Sequence, residues 1–259
     1  LNVVNPDIVC LNEHVLKNKQ KMIIDNYRSF NKNRQNLAMG VVSISVLNSD
    51  AKYAVKSSEG KDKSEYIITR HEQFTIPINV LAIYGEQEGR TLQDDSEKMW
   101  NEILSELIKI ENRHESVLII GDMNKHIGND HLGVKNNHAK ITKGGQYIRD
   151  LLAKKEYILV NNMDMVEGGP FTRFDPEFPN DDTKKSCLDL AIVSKSLVPY
   201  VKSLIIDYKG AYTAARYLKT KTVKPDHYPL ILTFENIPIR KLKSNRRTVP
   251  TRLVDASTI

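Results

Sequence analysis

Val117-Leu118-Ile119-Ile120-Gly121-Asp122-Met123-Asn124 decides how this chain is read. Four apolar residues in a row form a short buried strand. Gly121 lets the backbone turn sharply, and Asp122 and Asn124 then project to the same side of the strand end. A carboxylate beside a neutral amide can hold a water or a phosphate oxygen.

Three more stretches place an acid beside an apolar run. They are Pro6-Asp7-Ile8-Val9-Cys10-Leu11-Asn12-Glu13, Ser186-Cys187-Leu188-Asp189-Leu190-Ala191-Ile192-Val193 and Pro225-Asp226-His227-Tyr228-Pro229-Leu230-Ile231-Leu232. Singly, each has an ordinary structural explanation, such as a surface cap at a strand end. Where these strand ends converge, Glu13, Asp122, Asn124, Asp189, Asp226 and His227 would share one rim of a sheet. Such a rim is rich in hard oxygen ligands suited to Mg²⁺ and has a histidine beside it for proton transfer. That is the equipment for cleaving phosphate esters.

At 259 residues the chain is long enough to bury a substantial core in one large domain or two small ones. No apolar run approaches the roughly 18–20 residues that span a bilayer. Residue 1 opens directly into Leu-Asn-Val-Val-Asn-Pro, without a secretory signal. Cys10 and Cys187 both lie inside apolar runs and read as reduced, buried thiols. These features point to an intracellular protein with no membrane partner.

The formal net charge of +6 suits a polyanionic partner. Lys209, Arg216, Lys219, Lys221 and Lys224 fall in one acid-free stretch with Tyr212 and Tyr217, directly before Asp226-His227. Such a loop can contact phosphates and stack on a base or sugar; the alternative is a solvated loop. Asp175–Lys185 is an acidic loop, and Asn48–Lys63 reads as a second loop. From Asn236 the chain turns basic, with Arg240, Lys241, Lys243, Arg246, Arg247 and Arg252 against Asp255. This divides the chain into a domain over 1–235 and a basic tail or linker over 236–259.

Strands are predicted at Ile8–Leu11, Met39–Leu47, Tyr66–Thr69, Ile76–Tyr84, Val117–Ile120, Ile158–Val160, Cys187–Val193, Leu204–Ile206 and Leu230–Phe234. A helix is predicted over Ser96–Ile110, capped by Asp94, Asp95 or Ser96, with Trp100 in its core stripe. A second helix is predicted over Gly145–Lys155. Many strands with few helices between them imply two packed sheets with helices outside.

The ordered set Asp7-Ile8-Val9-Cys10-Leu11-Asn12-Glu13, Ala82-Ile83-Tyr84, Gly121-Asp122-Met123-Asn124, Ser186-Cys187-Leu188-Asp189 and Asp226-His227 resembles the endonuclease/exonuclease/phosphatase superfamily. The likeness covers about Asn5 to Phe234. Gly121–Asn129, Gly169-Pro170-Phe171-Thr172-Arg173 and Ser186–Leu190 bring it nearest to the endonuclease domains of non-LTR (LINE-type) retrotransposons. The resemblance implies a four-layer α/β/β/α sandwich of two mixed β-sheets, DNase I-like. It also implies Mg²⁺-dependent nicking of double-stranded DNA that leaves a 3′-hydroxyl and a 5′-phosphate, with Mn²⁺ as an alternative ion. A reverse transcriptase domain downstream and a nuclear location are implied as well.

By the same resemblance, Glu13 and Asp226 hold the metal. Asp122 orients or deprotonates the attacking water, Asn124 holds the scissile phosphate and Tyr84 bonds a phosphate oxygen. His227, held by Asp189, contacts the phosphate or transfers a proton. Arg173 joins Lys209, Arg216, Lys219, Lys221 and Lys224 as a DNA contact, although Thr172-Arg173 also reads as a structural turn.

The chain departs from the family in two places. Glu13 comes too early for the first strand and helix to precede it, so these are expected to be lacking. Pro225 stands where the family has a serine donor. His126, His131 and His138 lack zinc spacing and read as surface residues. The rival readings are an apurinic/apyrimidinic repair endonuclease, a small-molecule phosphoesterase, and an inactive decayed copy that only binds nucleic acid.

Overall fold

β7 (Ser116–Asp122) runs between parallel β6 (Ile78–Tyr84) and antiparallel β10 (Asp189–Ser194). The computed structural model describes residues 5–12, 22–32, 42–86, 93–128, 141–209 and 226–240. β4 (Ala54–Glu59) and β5 (Tyr66–His71) extend this sheet beyond β6. β8 (Tyr157–Leu159) extends it beyond β10, giving the order β4-β5-β6-β7-β10-β8. Every residue of β6 is buried, which is why its sequence is almost continuously apolar.

The two faces of the sheet follow from the period of two along a strand. On one face Leu81, Ile83, Val117, Ile119, Leu190 and Ile192 share a core with α1 (Gln93–Asn112) and α2 (Lys143–Ala153). Trp100 of α1 is fully buried there, as its stripe predicts. Truncating a large side chain in such a core costs about 3–5 kcal/mol. On the other face Val80, Ala82, Leu118, Ala191 and Val193 pack against a second strand layer.

That second layer consists of two three-stranded pieces. One is β1 (Ile8–Leu11), β3 (Val42–Leu47) and β2 (Tyr27–Lys32), in the order β1-β3-β2. The other is β12 (Leu230–Phe234), β11 (Val201–Ile206) and β9 (Val166–Glu167), in the order β12-β11-β9. Among the described residues no hydrogen-bonded ladder joins β1 to β12. Both strands are half-buried along their whole length, whereas β3 buries five of its six residues. The architecture is an α/β sandwich of mixed sheets, and among the described residues no helix covers the outer face of the second layer.

Local chemistry explains where the elements depart from the sequence reading. α1 begins at Gln93, so Ser96 lies inside its first turn instead of capping it. α2 begins at Lys143 because the Thr142 hydroxyl accepts the Gly145 N–H at 3.0 Å. An N-cap of this kind is worth about 1 kcal/mol. The predicted loop at 48–63 holds β4, which pairs antiparallel with β5 and exposes most of its polar residues. β2 and β9 also escaped prediction, β2 because its apolar content is low and β9 because it is two residues long. Past β12, Thr75 N–H donates to Pro238 O at 2.8 Å and Arg240 N–H to Gln73 O at 2.8 Å. The chain therefore stays against the sheet through Arg240. Among the described residues no helix is long and apolar enough to cross a membrane.

Candidate active site

Three rows of side chains cross β6, β7 and β10 on the face toward the second layer. Val80, Leu118 and Val193 are register partners, and Ala82, Ile120 and Ala191 form the next row. Tyr84, Asp122 and Asp189 form the third. Partners in register share a face, so the apolar rows end in a polar one at the edge of the core. Asp122 closes β7 and Asp189 opens β10 because the two strands are antiparallel.

His227 joins this row from the segment before β12. Its Nδ1–H donates to Asp189 Oδ2 at 2.8 Å, and Nε2 lies 3.9 Å from Asp122 Oδ2. Burial alone would lower the His227 pKa. The Asp189 hydrogen bond and the charges of Asp189, Asp122 and Asp226 outweigh burial and raise it to about 9. His227 is therefore an imidazolium at neutral pH in the metal-free protein.

Asn124 is held in a left-handed conformation, φ 49°. Its backbone N–H donates to Asp122 Oδ1 at 2.8 Å, and its Nδ2 donates to Gly85 O at 2.7 Å. An amide nitrogen carries two N–H groups, so one bond orients the side chain while a second donor can serve a ligand. Gly121 has φ 144°, and a Cβ there would lie 2.1 Å from Ile83 O. Only a glycine fits the turn that brings Asp122 and Asn124 together.

Asp189 is fixed by two residues that the sequence did not single out for this task. Thr172 is fully buried, and its hydroxyl accepts the N–H groups of Leu188 at 3.0 Å and Asp189 at 2.9 Å. The buried hydroxyl gives Thr172 the structural role that the Thr172-Arg173 pair also suggested. Asn161 Nδ2 donates to Asp189 O at 3.1 Å, and its Oδ1 accepts the Ala191 N–H at 2.8 Å. A buried threonine and an asparagine at a strand end are the only local signals for these roles.

Arg173 Nη2 pairs with Asp226 Oδ2 at 3.4 Å, with both side chains partly exposed. Lys209 is exposed and lies 5.2 Å from the centre of the Tyr208 ring. Tyr84 is 6 % exposed and belongs to the inter-sheet core, so its ring packs against apolar neighbours while it shares the row of Asp122. Glu13, Arg216, Lys219, Lys221 and Lys224 lie outside the described residues, as do Pro225, Tyr212, Tyr217, His131 and His138.

Ligand atoms of Asp122, Asp189 and His227 fall within 4.8 Å of one another. Asp189 and His227 are already bonded to each other, which suits proton handling better than ion capture. Next to Asp122, Asn12 Oδ1 is a buried acceptor with no hydrogen-bond partner. The Nδ2 of the same amide lies 3.1 Å from where a Cβ on Gly121 would stand. The Asn12 oxygen is a hard donor beside the turn that carries Asp122, and a donor of this kind fits a hard divalent cation.

The sandwich is similar in fold to solved DNase I-like nucleases and phosphatases of the endonuclease/exonuclease/phosphatase type. The sequence matches no protein-family model and no curated protein. A 3′-phosphatase from Neisseria, NExo, bound to product DNA hairpin, is similar with a TM-score of 0.64 at 16 % identity, over 89 % of this chain and 90 % of that one. The AP endonuclease LMAP from Leishmania major has a TM-score of 0.64 at 16 % identity, over 88 % of this chain and 78 % of that one. The endonuclease domain of TRAS1, a telomere-specific non-LTR retrotransposon, has a TM-score of 0.55 at 13 % identity, over 82 % of each chain. At these identities the likeness is one of fold, and function has to be argued from the side chains.

Proposed function

We propose that this chain is a metal-dependent endonuclease of the non-LTR retrotransposon type that nicks double-stranded DNA. The observation that carries the reading is the row Tyr84, Asp122, Asp189 with His227 bonded across it at 2.8 Å. Phosphodiester hydrolysis needs a group to take a proton from water, donors for the phosphoryl oxygens and stabilisation of the leaving oxygen.

Asp122 Oδ2 takes the proton of the attacking water. His227, kept as imidazolium by Asp189, donates to a non-bridging phosphate oxygen. Asn124 offers its second N–H to the same phosphate. Water adds to phosphorus, the P–O3′ bond breaks, the leaving 3′-oxygen takes a proton from solvent water, and the products are a 3′-hydroxyl and a 5′-phosphate. Glu13, Asp226 and Asn12 would hold Mg²⁺ or Mn²⁺, which when bound polarises the phosphate and neutralises the leaving oxygen.

DNA as the substrate is supported by the basic stretch from Lys209 to Lys224 and by Arg173 beside Asp226. The retrotransposon reading rests on the Gly121–Asn129 and Gly169–Arg173 stretches and on the fold likeness to the TRAS1 domain. It carries with it a reverse transcriptase downstream and action in the nucleus. Incision at abasic sites is the second reading; the AP endonuclease LMAP from Leishmania major shares the fold.

Nicking of supercoiled plasmid tests the proposal, with Mg²⁺, Mn²⁺ or EDTA, for the wild-type chain, Glu13→Ala and His227→Ala. Metal-dependent nicking that both substitutions abolish supports it, and a folded wild-type chain that never nicks refutes it. Intact and abasic duplexes compared side by side separate the two nuclease readings. A large preference for the abasic strand decides for repair.

A further inference from the structure

Lys125 follows Asn124 and is only 3 % exposed. Lysine is almost never this buried without a dedicated partner. Its Nζ donates to Glu86 O at 2.6 Å. Its stem runs over Gly144 in the first turn of α2, where a Cβ would come within 2.5 Å of Cδ and 2.6 Å of Cε. The channel that admits this side chain exists because residue 144 has none.

The tie to Glu86 completes a series. Gly85 N–H donates to Asp122 O at 2.7 Å, Asn124 Nδ2 donates to Gly85 O at 2.7 Å, and Lys125 Nζ donates to Glu86 O at 2.6 Å. Residues 84–86 and 122–125 are thereby laced together beyond the end of the β6–β7 ladder. The lacing is tight, since a Cβ on Gly85 would lie 1.9 Å from Met123 O. Asparagine tolerates the left-handed backbone that Asn124 adopts, and the lacing fixes the direction of its amide.

We infer that Lys125 is a positioning residue of the nuclease site. Its ammonium anchors the 85–86 segment so that Gly85 O keeps the Asn124 amide aimed at the phosphate, and Gly144 of α2 is the seat of its stem. The inference rests on reading Asp122 and Asn124 as the working end of the site. It adds a buried cation and a helix contact to the groups that hold that end in place.

The test compares Lys125→Met, which keeps the volume and loses the donor, with Gly144→Ala, which displaces the stem and keeps the charge. Two readouts are taken. One is steady-state nicking with Mg²⁺, and the other is hydrogen exchange of the Asn124 side-chain amide followed by NMR in the metal-free chain. Both variants should lower kcat, on the order of tenfold to hundredfold for a misplaced group, with KM within about twofold of wild type. Both should expose the Asn124 amide to faster exchange. The double variant should be no worse than Lys125→Met alone, because both changes break one arrangement.

Unchanged kcat and unchanged Asn124 exchange in folded Lys125→Met overturn the inference, and so do losses that simply multiply in the double variant. A wild-type chain that does not nick defeats the nuclease reading. The amide exchange still decides whether Lys125 holds Asn124.

Discussion

His227 Nδ1 and Asp189 Oδ2 lie 2.8 Å apart, although the two residues belong to different layers of the sandwich. Asp189 opens β10 in the six-stranded sheet, and His227 leads into β12 in the second layer. Their hydrogen bond therefore ties the layers together at the end row and sets the protonation of the imidazole.

In the metal-free protein, an NMR titration should place the His227 pKa near 9. Asp189→Asn should lower it, because burial then acts with less opposing charge. The folded pKa is raised, so the contribution to stability is complete below the unfolded value of about 6.5 and is lost as pH rises through about 9. The full effect is on the order of 3 kcal/mol. Urea melts at pH 6 and pH 10 should differ in the wild type by more than in Asp189→Asn. An identical pH dependence in the two chains would refute the assignment.

Thr172→Val should be more damaging than a surface change of the same size. The hydroxyl accepts two buried N–H groups, those of Leu188 and Asp189. Leaving buried donors without an acceptor costs about 1–3 kcal/mol each. Thr172→Ser keeps the acceptor and should retain most of the stability. Activity should fall with Thr172→Val at temperatures where the variant is still folded, since Asp189 no longer has its backbone fixed.

Gly121→Ala and Gly169→Ala separate crowding from backbone strain. Both glycines have positive φ, 144° and 109°. A methyl at 121 meets Ile83 O at 2.1 Å, whereas nothing lies within 4 Å of one at 169. Forced overpacking typically costs about 1–3 kcal/mol in addition to the strain. Chemical denaturation should show a clearly larger loss at 121, and only the change at 121 should abolish nicking.

His71 should set an acid limit on stability. It is fully buried on β5, its Nε2 is 3.0 Å from Thr69 Oγ1, and burial lowers its pKa to about 4. The folded state resists protonation that the unfolded chain accepts. Stability is therefore complete above about pH 6.5 and declines as pH falls toward 4, by roughly 3 kcal/mol in all. His71→Gln should flatten that decline in melts between pH 4 and pH 7.

Much of this architecture is legible residue by residue. β1 and β12 have the predicted bounds, and β7 and α1 fall where apolar runs and helical spacing place them. Each depends on local periodicity, which a one-dimensional pattern carries in full. β4 was read as a loop because its exposed Val55, Lys56 and Ser57 give no apolar alternation, and its partner β5 supplies the missing reason for it to be a strand.

The sequence by itself determined which groups could do chemistry: Asp122 and Asn124 after a buried strand, Asp189 within another, and Asp226-His227 before a third. Only the tertiary structure decided which of them work together. Asp189 meets His227 across 38 residues, Thr172 holds the Asp189 backbone across 17, and Lys125 reaches Glu86 across 39. Strand pairing and register create those contacts, and register is a property of two segments at once. A single run of residues specifies its own face and period, and the packing of the sheets specifies what that face will touch.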